Sequence, residues 1–156
     1  MTREEKELIY KDICGRLPYN SLTLHFDGGD ITLDNDHQGI GRLYGYQCSQ
    51  EFRESHNLEM DDFVIVCSGV YYGDVKPYLR PMSDMTEEER KEFAKASEKD
   101  VAIAVDEVNR YYQSELDKYA PLLSCYNKID WLNANGFDYR GLIGMGLAIN
   151  NSQKSN

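Results

Sequence analysis

The chain has 156 residues and a formal net charge of −10, with 41% hydrophobic and 28% charged residues. A chain of this size buries about 70% of the surface that it exposes when unfolded, so it can form a core without disulfides or metals. Length and composition together exclude intrinsic disorder, except in a polar tail over 150–156, and they predict one domain over 1–149. Because nucleic-acid binders replace phosphate counterions with Lys and Arg, 27 acidic against 17 basic residues argue against direct nucleic-acid binding.

The spacing of the cysteines and the hydropathy of the chain indicate the cellular compartment in which the protein is expected. The four cysteines include no CxxC pair, which disfavours a metal site or a redox motif. The N-terminus MTREEKELIY is charged where a signal peptide is apolar, and the longest apolar run is far too short to span a bilayer. We therefore expect a reduced, cytoplasmic protein that makes no membrane contact.

The first predicted element is a helix over about 3–15. Thr2 and Glu5 have the T-x-x-E spacing of a capping box, in which each side chain accepts a hydrogen bond from the other residue's backbone amide. Ile9 and Ile13 then fall on one face of the helix. This face is predicted to pack on the core.

A β-rich region is predicted over about 20–80. The segment SLTLHF alternates polar and apolar residues, the turn signal DGGD follows, and ITL begins a second strand. Further strands are predicted within 39–48 and at 63–67, with a long loop or short helix between them. Short strands joined by Gly- and Asp-rich turns are typical of a strongly bent antiparallel sheet or a small barrel.

The stretch VKPYLRPMSDMTEEER, residues 75–90, separates the β region from a helical one. Pro77 and Pro81 each lack a backbone donor, and a central strand is not expected to tolerate two such losses. Thr86 and Glu89 have the spacing of a second capping box, and the successive acids favour the positive end of a helix dipole. The stretch is therefore predicted to end the sheet and to begin a helix.

The region over 86–149 is predicted to be helical, which makes the fold class α+β. Apolar residues at steps of three and four predict an amphipathic helix, which Pro121 is expected to end. This helix is predicted to be broken near 97–100. A single helix over 87–119 also fits the pattern. A short helix is expected over 128–134, and Gly136 suits its C-terminal cap. Asp138 is then expected to cap a last helix over 139–147.

Two stretches have some features of ligand-binding loops but lack a required residue. Asp34-Asn35-Asp36 begins like an EF-hand, yet Gly45 stands where the loop needs a bidentate Glu. The glycines after it miss the GxGxxG spacing by one residue. The three histidines have no Ser or Cys in a recognisable nucleophile setting. No catalytic residue, metal ligand or cofactor is therefore predicted, and the chain is expected not to be an enzyme.

Tyrosine is unusually frequent, with 12 residues against one tryptophan. Tyr and Arg are enriched in protein-binding surfaces because both offer contact area at a modest entropic cost. The candidate protein-binding residues are Lys76, Tyr78, Arg80, Asp138, Tyr139 and Arg140. A packing role in a small core is the alternative for the tyrosines and arginines among them.

Three stretches, MTREEKELIYKDICGRLPYN, VKPYLRPMSDMTEEER and DWLNANGFDYRGLIGMGLAI, together resemble a family of small uncharacterised proteins of gut anaerobic bacteria, their prophages and mobile elements. That family reads LxxRLPYG, KPYLRPMSSMTEEE and WLNxxHFDYRGLI in this order, which covers a little over a third of this chain. This sequence departs from it at Asp84, at Gly136, where the family often has His, and at Gly144-Met145. The resemblance implies no reaction, ligand or cofactor.

The resemblance and the strand pattern predict that 76–81 closes a small SH3-like barrel. Tyr78 and Leu79 would pack it on the helices, while Lys76 and Arg80 either pair with helix acids or face a partner. The expected function is that of an accessory phage or mobile-element protein, a protein-interaction module with an unidentified protein partner. The alternative is an acidic mimic of nucleic acid that inhibits a DNA-binding protein, and an enzyme is the third possibility. No feature specifies an oligomeric state.

Overall fold

The computed structural model describes residues 1–19, 22–33, 40–67, 70–71, 73–96 and 113–154. Within these ranges the chain has the predicted α+β architecture. The helices are α1 (Arg3–Arg16), α2 (Gln50–Ser55), α3 (Glu87–Ala96) and α4 (Gln113–Ala134). The strands are β1 (Leu22–Phe26), β2 (Gly29–Leu33), β3 (Ile40–Tyr44), β4 (Phe63–Cys67), β5 (Val70–Tyr71), β6 (Lys76–Leu79) and β7 (Ile149–Asn150). Short 3-10 helices lie at Gly45–Gln47, Met82–Asp84 and Asn151–Lys154.

The described strands form two sheets. The larger sheet has the order β2-β1-β6-β7, and the smaller has the order β3-β4-β5. β1 and β2 form the predicted hairpin, with Phe26 paired to Gly29 across a two-residue turn. Neither sheet closes on itself in this part of the chain, so the predicted SH3-like barrel is not confirmed.

The prediction that Pro77 and Pro81 keep residues 76–81 out of a central strand is wrong for Pro77. Pro77 lies in β6, which has β1 on one side and β7 on the other. It pairs with Leu24 of β1, whereas the pairing with β7 begins one residue later, at Tyr78. The parallel pairing with β7 therefore does not include the proline, and its missing amide does not prevent the strand from being central.

Helix α1 packs its predicted apolar face on the sheets. Its capping box forms as expected, because Glu5 N donates to Thr2 Oγ1 over 3.2 Å and Thr2 N donates to Glu5 Oε2 over 2.7 Å. Ile9 and Ile13 are fully buried in a core that also contains residues of β1, β2, β4 and β6 and of the segment after α4. Burial of each such side chain contributes about 1.5–3 kcal/mol, so this core holds the helix against both sheets.

Helix α4 corrects the prediction that Pro121 ends a helix and that a separate helix covers 128–134. It is continuous over Gln113–Ala134 and contains Pro121. Its later turns pack on α3, where the rings of Trp131 and Phe93 lie 5.6 Å apart. The predicted break at 97–100 and the predicted apolar residues up to Tyr112 lie outside the described residues.

Gly136 forms the predicted C-terminal cap of α4. Its φ is +71°, a left-handed conformation that favours glycine. Gly136 N donates to Asn133 O over 3.2 Å and Phe137 N donates to Leu132 O over 3.0 Å, which are the two bonds of a Schellman motif. Phe137 and Leu132 are also packed in one hydrophobic cluster, as is usual for this cap. The cap turns the chain back toward β6.

The predicted helix over 139–147 is wrong, because this segment forms a loop of successive turns. Gly141 and Gly146 have φ angles of +76° and +73°, which are incompatible with a continuous right-handed helix. Leu142 and Leu147 are buried in the main core and anchor the loop. The glycines thus permit sharp turns that bring these two leucines inward.

Ordered structure extends beyond the boundary at 149 that the sequence predicts. Ile149 and Asn150 pair with Tyr78 and Leu79 of β6, and Asn151–Lys154 form a 3-10 helix. The start of the expected tail therefore adds an edge strand to the larger sheet. Among the described helices, none combines the length and the apolar character needed to cross a bilayer.

Candidate functional site

The three stretches that carry the resemblance meet at Arg80 and Phe137. Arg80 N donates to Gly136 O over 2.9 Å, and Asp138 N donates to Arg80 O over 2.8 Å. Arg16, from the end of α1, donates through Nη2 to Phe137 O over 3.0 Å. The Arg80 guanidinium also lies 4.3 Å from the centre of the Phe137 ring. The stretches therefore form one internal contact rather than three separate surfaces.

A buried ion pair lies beside this contact. Asp12 and Arg16 are one helical turn apart on α1, and their side chains are 0% and 2% exposed. Arg16 Nε and Nη2 donate to the two carboxylate oxygens over 2.7 and 3.0 Å. Arg140 reaches the same carboxylate, with its Nε 3.2 Å from Asp12 Oδ1. One buried carboxylate is thus shared by two guanidinium groups, which lowers the cost of burying it.

Arg80 pairs with an acid of the following helix, one of the two alternatives that the sequence leaves open. Its Nη1 and Nη2 donate to the two oxygens of Glu89 over 2.8 and 3.1 Å. Glu89 also completes the predicted capping box with Thr86, because Thr86 N donates to Glu89 Oε2 over 2.8 Å. Two hydrogen bonds to its carboxylate lower the pKa of Glu89 to about 2, and the one from Arg80 has a larger effect than the one from the Thr86 amide.

In FDYRG, Phe137 and Asp138 are buried and Tyr139 is half-buried, whereas Arg140 and Gly141 are exposed. The Asp138 carboxylate is buried and accepts hydrogen bonds from Leu142 N and Ile143 N, both over 2.8 Å. The centre of the Tyr139 ring lies 5.4 Å from the guanidinium carbon of Arg16 and 5.0 Å from that of Arg140. Asp138 therefore caps a loop instead of a helix, and Tyr139 is a packing residue.

Lys76 and Tyr78 lie on β6 beside the hairpin of β1 and β2. Lys76 is half-buried and is paired with His25 across the strands. Tyr78 Oη donates to Asp30 Oδ1 over 2.9 Å, and His25 Nδ1 lies 2.8 Å from the same oxygen. The side chains of five of the six candidate residues, all but Lys76, therefore contact other parts of this chain.

A half-enclosed cavity of about 460 Å³ opens between the larger sheet and the end of α4. Arg16, Tyr78, Arg80 and Asn133 line it, together with Thr23 and the backbone around the Gly136 cap. We call it the arginine cavity. Arg16 and Arg80 are the only charged residues among the described residues that line it. Both arginines are paired with carboxylates, Arg16 with Asp12 and Arg80 with Glu89.

Two buried polar atoms at the cavity wall have no hydrogen-bond partner among the described residues. They are Arg16 Nη1 and Asn133 Oδ1, on side chains of residues that are 2% and 6% exposed. A buried polar group without a partner is costly, and a charged donor is costlier still. Both atoms are buried from solvent, so they lie behind the surface of the cavity.

The two loops that resemble ligand sites do not form one where the structure describes them. Asp34-Asn35-Asp36 lies outside the described residues. Gly45 is buried, and a Cβ at this position would lie 2.1 Å from Glu59 O, so a close backbone contact explains the glycine. In the described part of the chain, no three His, Cys, Asp or Glu side chains are grouped to hold a metal ion.

Sequence reasoning missed Asp12, Arg16 and Asn133. A detectable signal exists for the first two, because positions 9, 12, 13 and 16 follow the helical spacing of one face. Ile9 and Ile13 mark that face as the buried one, so the acid and the base on it had to be buried as a pair. Asn133 gives no such signal, since it depends on the chain turn at Gly136.

Comparisons with protein-family models, with curated proteins and with solved structures found no significant match to this chain. The resemblance of its three stretches to the prophage-associated family stays a prediction. A function is therefore best argued from the arrangement of side chains around the arginine cavity.

Proposed function

We propose that this chain is a small acidic accessory protein of the phage or mobile-element type that acts by binding a protein partner. Its origin is proposed from the resemblance of the three stretches. The binding role is supported by one observation above all, the arginine cavity, which is concave and lined by Arg, Tyr and Asn side chains. Tyr and Arg are the residues that most often dominate the energy of protein–protein contacts.

The lining of the cavity favours binding over acid–base catalysis. Its described residues include arginines, asparagines and a tyrosine, but no Asp, Glu, His or Cys. His, Glu and Asp are the side chains that most often act in general acid–base catalysis, and they are absent from this described lining. The same side chains are well suited to donate and accept hydrogen bonds with a bound group.

The proposal places the protein in a reducing cytoplasm. Cys14, Cys48 and Cys125 carry free thiols, as is usual for proteins that are kept reduced. The alternative function, mimicry of nucleic acid, requires carboxylates on one face that are free to imitate phosphates. Of the described acids, Glu7, Asp74 and Glu89 are each bound to a cation of this chain, so these three carboxylates are not free for such mimicry.

The proposal is tested by blocking the cavity from the sheet side. Thr23 of β1 lines the cavity, whereas its cross-strand neighbour Thr32 of β2 does not, and their hydroxyls lie 3.2 Å apart. Thr23→Trp is expected to fill the cavity, and Thr32→Trp is its matched control, because both changes remove the same hydrogen bond from the same hairpin.

The wild type and both variants are used as baits in extracts of the native host, and co-purifying proteins are identified by mass spectrometry. A candidate partner is then purified and its binding to all three proteins is measured. We expect the partner to bind wild type and Thr32→Trp with equal affinity and Thr23→Trp at least tenfold more weakly. Equal binding to the two variants would show that the cavity is not the contact.

A further inference from the structure

An exposed aromatic ring lies at the end of a stack that begins in the core. Phe63 of β4 is 1% exposed, and its ring centre lies 6.0 Å from that of Tyr44, the last residue of β3. Tyr44 in turn stacks on Tyr46, with ring centres 5.7 Å apart and an angle of 17° between the planes. Tyr46 is 62% exposed, more than any other large hydrophobic residue in the described part of the chain. The stack therefore holds one face of the Tyr46 ring and leaves much of the ring in contact with solvent.

A second exposed hydrophobic side chain, that of Met60, lies nearby and is 54% exposed. A Cβ on Gly45 would lie 3.3 Å from the Cα of Met60, because the two backbone segments touch there. Since Tyr46 follows Gly45, its Cα lies within about 9 Å of the Cα of Met60. A protein interface covers about 800 Å² of each partner, so one partner can cover both side chains. We call Tyr46 and Met60 the tyrosine patch.

Carboxylates surround the tyrosine patch. The segment 45–62 carries five acidic residues against one arginine, Arg53. Glu59 and Asp61, on either side of Met60, are both exposed. Arg53 Nη1 donates to Met60 Sδ over 2.7 Å, so the one cation of this segment is directed at the thioether. The two apolar side chains thus lie in a negative field, which is complementary to a cationic partner.

The ring and the carboxylates select the same kind of partner. A cation over the face of a Tyr ring is attracted by the electrons of the ring, and arginine takes this position more often than lysine does. The unbranched Met side chain adapts to the aliphatic part of a neighbouring side chain. The carboxylates repel nucleic acids and anionic membranes, and they attract Lys and Arg. A basic protein segment that contains arginine meets all of these conditions.

We propose that the tyrosine patch docks a basic, arginine-containing segment of a protein partner, with one arginine on the open face of the Tyr46 ring. Glu59 and Asp61 pair with the neighbouring cations of that segment. The docking differs from mimicry of nucleic acid, because an aromatic ring and a thioether supply the anchors. The patch shares no residue with the described lining of the arginine cavity, so the inference goes beyond the proposed function and does not depend on it.

The inference is tested with the purified chain and three fluorescently labelled octapeptides. The first alternates Arg and Gly, the second has Lys in place of Arg, and the third has Gln in place of Arg. Binding is measured by fluorescence anisotropy at physiological salt concentration. We expect the Arg peptide to bind saturably, the Lys peptide at least threefold more weakly, and the Gln peptide not detectably. Equal binding of the Arg and Lys peptides, or no binding of the Arg peptide, would overturn the inference.

A contact with the ring has an NMR signature that attraction between charges alone does not produce. The ring current of Tyr46 is expected to shift the side-chain methylene signals of the bound Arg peptide upfield. Tyr46→Phe keeps the ring and is expected to retain this shift, whereas Tyr46→Leu keeps only an apolar side chain and is expected to abolish it. An unchanged shift with Tyr46→Leu would refute the contact.

Matched variants localise the binding. Tyr46→Ala and Met60→Ala are each expected to weaken binding of the Arg peptide at least fivefold. Tyr126→Ala and Met145→Ala are their controls, because they remove side chains that are 56% and 55% exposed on α4 and in the loop that follows it. All four are first checked for folding by circular dichroism, and Tyr46→Leu replaces Tyr46→Ala if the latter does not fold. Equal weakening by a variant and its control would contradict the location.

The two proposals fail in different ways. If Thr23→Trp loses the host partner but the Arg peptide does not bind the wild type, only the docking of a basic segment is wrong. If the Arg peptide binds wild type and Thr23→Trp alike, and the host partner also binds both alike, the tyrosine patch is supported and the proposed contact at the arginine cavity is wrong.

Discussion

The buried ion pair of α1 provides the sharpest test of the packing. Asp12→Asn keeps the shape of the side chain and removes its charge, which leaves the guanidinium of Arg16 buried at 2% exposure without its carboxylate. Removing one partner of a buried pair costs about 3–5 kcal/mol, a large part of the roughly 5–15 kcal/mol that stabilises a domain. With a slope of about 2 kcal/mol per M, a loss of 4 kcal/mol lowers the urea midpoint by about 2 M.

The assay is urea unfolding at pH 7, followed by circular dichroism. Glu7→Gln is the control, because Glu7 lies on the same helix but forms a half-exposed pair with Arg42, and water screens such pairs. We expect Asp12→Asn to lower the midpoint several times more than Glu7→Gln does. Midpoint shifts of equal size in the two variants would show that Asp12 and Arg16 are solvated, and the description of the cavity wall would then be wrong.

Two further predictions concern the helix start at Glu89 and the close contact at Gly45. The folded-state pKa of Glu89, about 2, lies below its ordinary 4.5, so ionised Glu89 stabilises the fold above pH 4.5 and this contribution is lost as the pH falls toward 2. Glu89→Gln should therefore be less stable than wild type at pH 7 and lose less stability between pH 4.5 and 2 in urea titrations; parallel curves would contradict this. Gly45→Ala should cost about 1–3 kcal/mol in thermal or urea unfolding, because its Cβ meets Glu59 O. Gly41→Ala, with open space around its Cβ, should be neutral, and equal losses would refute the contact.

Local chemistry made several elements predictable. The capping boxes of Thr2 and Thr86, the alternation of β1 and the glycine cap at Gly136 each depend on residues less than six positions apart. The hydrogen bonds of the three caps are formed within about one turn of chain, and the alternation of β1 is visible in five successive residues, so the local sequence pattern contains the signal. These predictions are confirmed in position and in kind.

Contacts between distant parts of the chain account for what was missed. β6 is a central strand because β7, about 70 residues later, pairs with Tyr78 and Leu79, and no local pattern announces that pairing. Of the six residues of KPYLRP and FDYRG that are candidates for a binding surface, Arg80 and Asp138 also form internal contacts, such as Arg80 on Phe137, and the binding role stays a prediction. An arginine beside an aromatic residue has the same sequence signature in an interface and in an internal joint.

The most direct test of the internal contact between the three stretches is a crystal structure of the chain. We expect Arg16 to bind both the Asp12 carboxylate and Phe137 O, with the Arg80 guanidinium on the Phe137 ring. An Arg16 side chain that points into bulk water, or an Arg80 that does not reach Phe137, would contradict the account.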